Sequence, residues 1–262
     1  MTRSLTFASL LLLGLGLTIA LPKPISGASD SPLEVSSAHG PVVVELFTSQ
    51  GCSSCPPADR LFGRLEGDVI ALSFHVDYWN HLGWQDPFSN ERWSQRQRQY
   101  GRVLRPRGYI YTPQLVIDGQ TEAVGSDERE IRKLLTEAAA RPRPARVALE
   151  VERAGSSLKI AVQAEMAGDA GGSSRLFVAV TEDGLETSIP SGENARRTLA
   201  YHHVVRELHA VGGGEIQPGG GSGGGELVID LDPAWRSERL AVVAFVQDEK
   251  SLAVHGAASW RS

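Results

Sequence analysis

The sequence predicts an α/β N-terminal domain followed by an all-β, sandwich-like C-terminal domain. Three observations carry that expectation. Two near-continuous apolar runs, Val42 to Phe47 and Val69 to Val76, flank a short helical pattern, which is the signature of strand, helix and parallel strand. Beyond Arg141-Pro142-Arg143-Pro144 the apolar residues instead alternate with polar ones, as in strands with one buried face. Glycine-rich turns punctuate that second half, as between the short strands of a sandwich.

The chain of 262 residues is long enough for two domains, and with 41% hydrophobic and 22% charged residues it has the composition of a packed soluble protein. Its net charge of -5 and lack of a sustained Lys/Arg block argue against a nucleic-acid partner. Arg92, Arg96, Arg98, Arg102, Arg105 and Arg107 form the one basic cluster, read as a solvated helix face or as a surface for an anionic partner.

Residues 1–28 carry Arg3, an apolar run of about a dozen residues from Leu10 to Leu21, and Ser26-Gly27-Ala28, the pattern of a secretory signal peptide. That run is short of the roughly 20 residues needed to span a bilayer, so a secreted or periplasmic mature form is expected over an N-terminal membrane anchor, with no membrane span after cleavage. Residues 29–40 read as a polar, flexible tether.

The first domain is expected over residues 41–140. After the first strand, Pro56 and Pro57 suit a helix's first turn, and Leu61, Phe62 and Leu65 have helical spacing. A polar helix is expected from Asn90 to Val103, a third strand over Pro113 to Asp118 ending at Gly119, and a short fourth strand around Glu122 to Gly125. Ser126-Asp127 opens a helix reaching about Ala140, with Ile131, Leu134 and Leu135 on one face. Residues 141–144 read as a linker, and 145–262 as the β-sandwich-like domain. The segment Gly212 to Gly225 is expected to be a floppy loop or a wide hairpin connection.

The only two cysteines, Cys52 and Cys55, lie between the first strand and the first helix. A CxxC pair serves zinc or copper sites, structural staples and redox centres alike. A closed zinc site needs four ligands, and no second cysteine pair is present. A staple across so short a loop is a weak cross-link. At a helix start, Cys52 would gain thiolate character and attack, with Cys55 resolving the mixed disulfide. Thr112-Pro113, just before a strand, could adopt a cis bond, although most X-Pro bonds are trans, and would then offer backbone to a substrate peptide. His75, Asp77 and Trp79 follow the second strand, whose end faces the same edge as the cysteine loop, and read as substrate-pocket residues or as core and packing groups. Trp84 carries the same two readings. Tyr201-His202-His203 and His209 read as structural, since alternation along a strand would send His202 and His203 to opposite faces.

The apolar strand, CSSC at a helix start and the later YTPQLVIDG resemble the thioredoxin fold. More closely, FTSQGCSSCPPAD, FHVDYWNHLGWQDPFS and YTPQLVIDG resemble a bacterial secreted, thioredoxin-like family known as domain of unknown function 1223. The resemblance implies an α/β thioredoxin-like N-terminal domain with an appended β domain, and implies little about substrate. It makes Cys52 the nucleophile, Cys55 the resolving cysteine and Pro113 the cis-proline. Glu45, offset by one residue from a buried acid of thioredoxins, would exchange protons with Cys55 or else point outward from an edge strand. The expected activity is dithiol–disulfide exchange without a cofactor or metal, on protein or small thiol and disulfide substrates, with a redox partner protein. The alternative is a binding protein whose CSSC holds metal or forms an inert disulfide.

Overall fold

The computed structural model describes residues 33–37, 39–167 and 172–262. The expected signal peptide lies outside them. Strand β1 (Leu33–Val35) falls in the stretch expected to be an irregular tether, and it pairs in parallel with β3 (Leu65–Gly67). Leu33 is buried and packs with the first core cluster, which explains why this short segment is ordered. Strand β2 (Val42–Thr48) is buried at all seven positions. Its Val42, Val44 and Leu46 face α1 (Pro56–Phe62) and a later helix, whereas Val43 and Phe47 face a separate cluster on the opposite side of the sheet. A strand buried on both faces has no need to alternate, hence its continuous apolar run.

Helix α1 starts on Pro56 and Pro57, where the missing amide donors cost nothing. It ends before Leu65, which belongs to β3 rather than to the helix. Strand β4 (Val69–His75) returns parallel to β2. Helix α2 (Glu91–Leu104) opens with Asn90, whose side chain accepts from the Arg92 N–H, and buries Trp93, Arg96, Gln97 and Tyr100 at helical spacing. Strands β5 (Gln114–Ile117) and β6 (Thr121–Val124) form a hairpin beside β2. Helix α3 (Glu128–Ala139) is capped by Asp127, which accepts from the Glu130 N–H at 3.1 Å, and buries Ile131, Leu134, Leu135 and Ala138.

The second half is made of β7 (Ala145–Ala154), β8 (Ser157–Met166), β9 (Ser174–Glu182), β10 (Leu185–Ile189), β11 (Arg197–Tyr201), β12 (Val204–Ile216), β13 (Ser222–Asp230), β14 (Leu240–Asp248) and β15 (Val254–Arg261). The expected fold class is corrected here. The chain does not set a self-contained α/β thioredoxin-like domain apart from a β domain. It is mostly β, and one eight-stranded mixed sheet runs β15-β14-β9-β12-β4-β2-β5-β6 through both halves. The join lies at β4, where the Ser73 N–H donates to His203 O at 2.8 Å and Val204 pairs in parallel with Ser73. A sequence read locally treats β4 as the end of one unit, but its free backbone edge is taken by a strand that arrives 130 residues later.

A three-stranded sheet, β13-β8-β7, packs through Leu158, Ile160 and Val162 against Leu176, Val178, Val242 and Ala244 of the large sheet. The glycine-rich segment is not a floppy loop, since most of it continues β12 and β13. A side chain at Gly224 would meet Val162 O at 2.6 Å, so glycine there lets two backbones approach. Strands β10 and β11 form a two-stranded sheet of their own.

Candidate functional site

Strand β2 delivers the chain into the turn 49–55, where the Cys52 N–H donates to Ser49 O and the Cys55 N–H to Cys52 O. Cys52 and Cys55 are joined as a disulfide with Cα atoms 5.4 Å apart, and each is 0% exposed. Cys55 occupies the N-cap position of α1, as the two following prolines suggest.

Two hydroxyls converge on Cys52 Sγ. Thr112 donates its O–H to it at 3.3 Å, and Ser54 Oγ lies at the same distance, with Thr112 O 3.4 Å away as an alternative acceptor. Thr112 is in turn fixed by the Trp79 indole N–H, which donates to its Oγ1 at 2.9 Å. The Thr112-Pro113 peptide is cis. Cys52, Thr112, Pro113 and Trp79 are thus brought together as a group, with the Trp79 indole acting as a hydrogen-bond donor as well as a packing surface.

Other expected site residues stand apart from the sulfurs. Glu45 faces the opposite side of the sheet from α1 and accepts from Arg96 Nε at 2.5 Å, from Arg96 Nη2 at 2.8 Å and from the Tyr100 hydroxyl. It is neither an outward carboxylate nor on an edge, because β2 is flanked by β4 and β5. Arg96 is therefore buried rather than part of a solvated basic face. Asp77 is tied to α2, with its N–H donating to Ser94 Oγ at 3.1 Å and its carboxylate accepting from the same hydroxyl. His75 is buried, its Nδ1 2.6 Å from Asp86 Oδ2 and its ring edge-on to Phe88 and Tyr201. Trp84 donates to Gln50 Oε1 at 2.9 Å. His202 and His203 lie in the turn after β11 rather than on a strand, and their rings come within 6.3 Å of each other. His202 pairs with Asp183 at 2.9 Å.

Asp59, one helical turn beyond Cys55, is a buried acid near the cysteines, and Asp86, which accepts from the Gln50 N–H at 2.8 Å, is another. The Asp59 N–H donates to Cys55 O at 3.1 Å, and its Oδ1 accepts from the Thr48 hydroxyl at 2.7 Å. Burial pushes its pKa up to about 7, against the opposing pull of His75. Asp59 Oδ2, His75 Nε2 and the Tyr201 hydroxyl are buried polar atoms without a hydrogen-bond partner among the described residues. Among the described residues no group of three or more His, Cys, Asp or Glu is arranged to hold a metal ion.

The family described as "Protein of unknown function (DUF1223)" matches residues 43–247. The chain belongs to that family. Glu45, Cys52, Cys55, Asp59, Trp79, Thr112 and Pro113 all fall inside the matched DUF1223 region. The crystal structure of protein AGR_C_4864 from Agrobacterium tumefaciens is similar to this DUF1223 chain at 28% identity and a TM-score of 0.58, covering 86% of this chain and 96% of that one. HBP35 of Porphyromonas gingivalis is similar in fold, at 15% identity and a TM-score of 0.64, over 86% of this chain and 76% of that chain. No curated protein matches the chain.

Sequence reasoning missed Asp59, Asp86, Glu193 and Asn194. Asp59 had a local signal, four residues after Cys55 and so on the same face of α1. Glu193 and Asn194 had none, since they reach the cysteine loop from the β10–β11 turn, about 140 residues away.

Proposed function

We propose that this DUF1223 protein carries out thiol–disulfide exchange at Cys52–Cys55. In the oxidised protein a client thiolate attacks Cys52 Sγ, the bond to Cys55 breaks, and Cys55 leaves as a thiolate that takes up a proton. The client's second thiolate then displaces Cys52 and closes the client disulfide. Two electrons and two protons end on the two cysteines, and the reverse sequence reduces a client. The observation that carries this reading is the asymmetry of the pair. Thr112 donates its O–H to Cys52 Sγ, with Ser54 Oγ 3.3 Å from the same sulfur, and a donor to a sulfur favours its thiolate. Asp59, titrating near neutrality one turn from Cys55, replaces Glu45 in the proposal as the group that gives and takes the Cys55 proton. Thr112, Pro113 and Trp79 are proposed to contact the client, whereas His75 and Asp77 act in position. The clients proposed are protein or small thiols, in the export compartment that the N-terminal sequence suggests. No helix among the described residues is long and apolar enough to cross a membrane.

The test compares wild type with Cys52→Ser and Cys55→Ser in reduction of a disulfide-bonded protein by dithiothreitol. Loss of activity in both variants, with a mixed disulfide accumulating on Cys52 of Cys55→Ser, is the expected result. A wild type no faster than dithiothreitol alone, together with a Cys55→Ser protein that traps nothing, overturns the reading. One observation favours a second reading, an inert staple: both cysteines are fully buried.

A further inference from the structure

Beside the disulfide, the backbone of the cysteine loop carries contacts of its own from a distant hairpin. Ser53 and Ser54 are exposed, yet the cysteines on either side of them are not. The backbone of this loop is not paired in a sheet. Besides the turn's own bonds, in which Cys52 O also accepts from the Cys55 N–H at 3.2 Å, and the Gln50 N–H that donates to Asp86 at 2.8 Å, it is capped by side chains from the β10–β11 hairpin. Asn194, 1% exposed, donates through its single Nδ2 to Gln50 O and to Cys52 O, each at 2.9 Å. Glu193 Oε2 accepts from the Ser53 N–H at 3.1 Å. Arg197 holds the other end of the Asn194 amide, donating to its Oδ1 at 2.8 Å. Outside this cluster the hairpin is tied to the same region by Thr187, which accepts from the Gln50 side chain at 3.0 Å, and by Ser191, which donates to Gly83 O at 2.6 Å.

Two carbonyls and one N–H within four residues are therefore met by two donors and one acceptor. That complement is the one an extended polypeptide presents through its backbone. The hairpin supplying it stands outside the eight-stranded sheet, so it can lift without breaking a ladder of that sheet. We infer that residues 50–53 are a binding edge for an extended, thiol-bearing polypeptide segment, and that Asn194 and Glu193 occupy this edge as a built-in cover. A client displaces the cover, pairs its backbone with Gln50 O, Cys52 O and the Ser53 N–H, and so brings its sulfur to Cys52. Asn194 is then a positioning residue that sets which thiols reach the disulfide. The inference rests on the exchange reading for its client, but the cover itself is tested without it.

The experiment measures reduction of Cys52–Cys55 in the full chain by glutathione and by an unstructured cysteine-containing decapeptide. Asn194→Ala should speed reduction by both about tenfold or more, since two hydrogen bonds are lost from the closed state. Reduction of wild type by the decapeptide should saturate with concentration and should weaken when the peptide's backbone nitrogens are methylated, whereas glutathione should show neither effect. Amide hydrogen exchange on the unmodified chain gives a readout independent of any variant's folding. Residues 50–54 and 187–197 should exchange together and faster than β2 and β4. Unchanged reduction rates in a folded Asn194→Ala protein, or exchange of both segments only with global unfolding, overturns the cover. Absence of saturation and of the methylation effect overturns the peptide edge. A cover that opens while Cys52–Cys55 turns over no client leaves the cover standing and removes the exchange reading instead.

Discussion

Arg96 grips Glu45 with two N–H donors, at 2.5 and 2.8 Å, in the interior of the molecule. Its guanidinium also lies within 6 Å of the rings of Phe74, Tyr100, Phe177 and Phe245, which come from both halves of the chain. Removing one member strands the other's charge away from water, so Arg96→Met or Glu45→Leu should each cost about 3–5 kcal/mol. The double replacement Glu45→Leu with Arg96→Met should recover much of that loss. Urea unfolding of the four proteins measures the coupling.

Asp59 makes the native state weaker as pH rises. With its pKa lifted by burial from 3.8 to about 7, both native and unfolded chains hold the proton below about pH 4, and the group contributes nothing there. Between pH 4 and 7 only the unfolded chain gives the proton up, so stability falls with pH and levels off above 7, by at most ~4 kcal/mol. His203 works in the opposite sense, because burial lowers its pKa to about 4 and stability rises from there to about pH 6.5. The difference between wild type and Asp59→Asn isolates the first effect. Thermal melts from pH 4 to 8 should show the variant gaining on wild type up to pH 7 and holding its lead beyond.

Thr112 is expected to act on Cys52 through its hydroxyl. Thr112→Val removes that donor and leaves the Trp79 N–H without its acceptor. Ultraviolet thiolate absorbance of the reduced protein against pH should show the Cys52 pKa rising by up to about one unit, the size of one hydrogen bond. Thr112→Ser should stay near wild type, and equal titrations for all three proteins would remove Thr112 from the mechanism.

Gly119 tests the joint between the halves. It has φ +65°, and a methyl on it would drive into the Leu252 carbonyl in the turn between β14 and β15. Gly155 has a similar φ of +62° with nothing within 4 Å of the added carbon. Gly155→Ala should therefore cost only the conformational part, about 1–2 kcal/mol. Gly119→Ala should cost more, in a single calorimetric transition that carries both halves down together.

The elements around the cysteines were legible because their signals are local. A run of seven buried residues, two prolines at a helix start and an Asn or Asp cap each act within a few positions, and β2, α1, α2 and α3 formed close to where these marks stand. The joining of the two halves was not legible, because Ser73 carries no mark that its N–H will meet His203. The same limit hid the real surroundings of Glu45. An acid in a buried strand signals a partner, but the partner, Arg96, belongs to a basic cluster that the sequence offers as a solvated helix face or a surface for an anionic partner, and α2 turns it inward. At the site, Cys52, Thr112 and Trp79 could be read from short motifs, while Asn194 could not, since an asparagine in a turn looks the same whether it caps its own loop or someone else's.

The separation between Ser53 and Glu193, 140 positions along the chain, also sets an order of events. A ribosome adds about 5–20 residues each second, so the cysteine loop is complete on the order of ten seconds before the residues that close over it exist. In that interval the nascent pair is open to whatever oxidant its surroundings provide. Under the proposed cover, the pair is more open to an oxidant in a chain not yet folded through Asn194 than in the finished molecule.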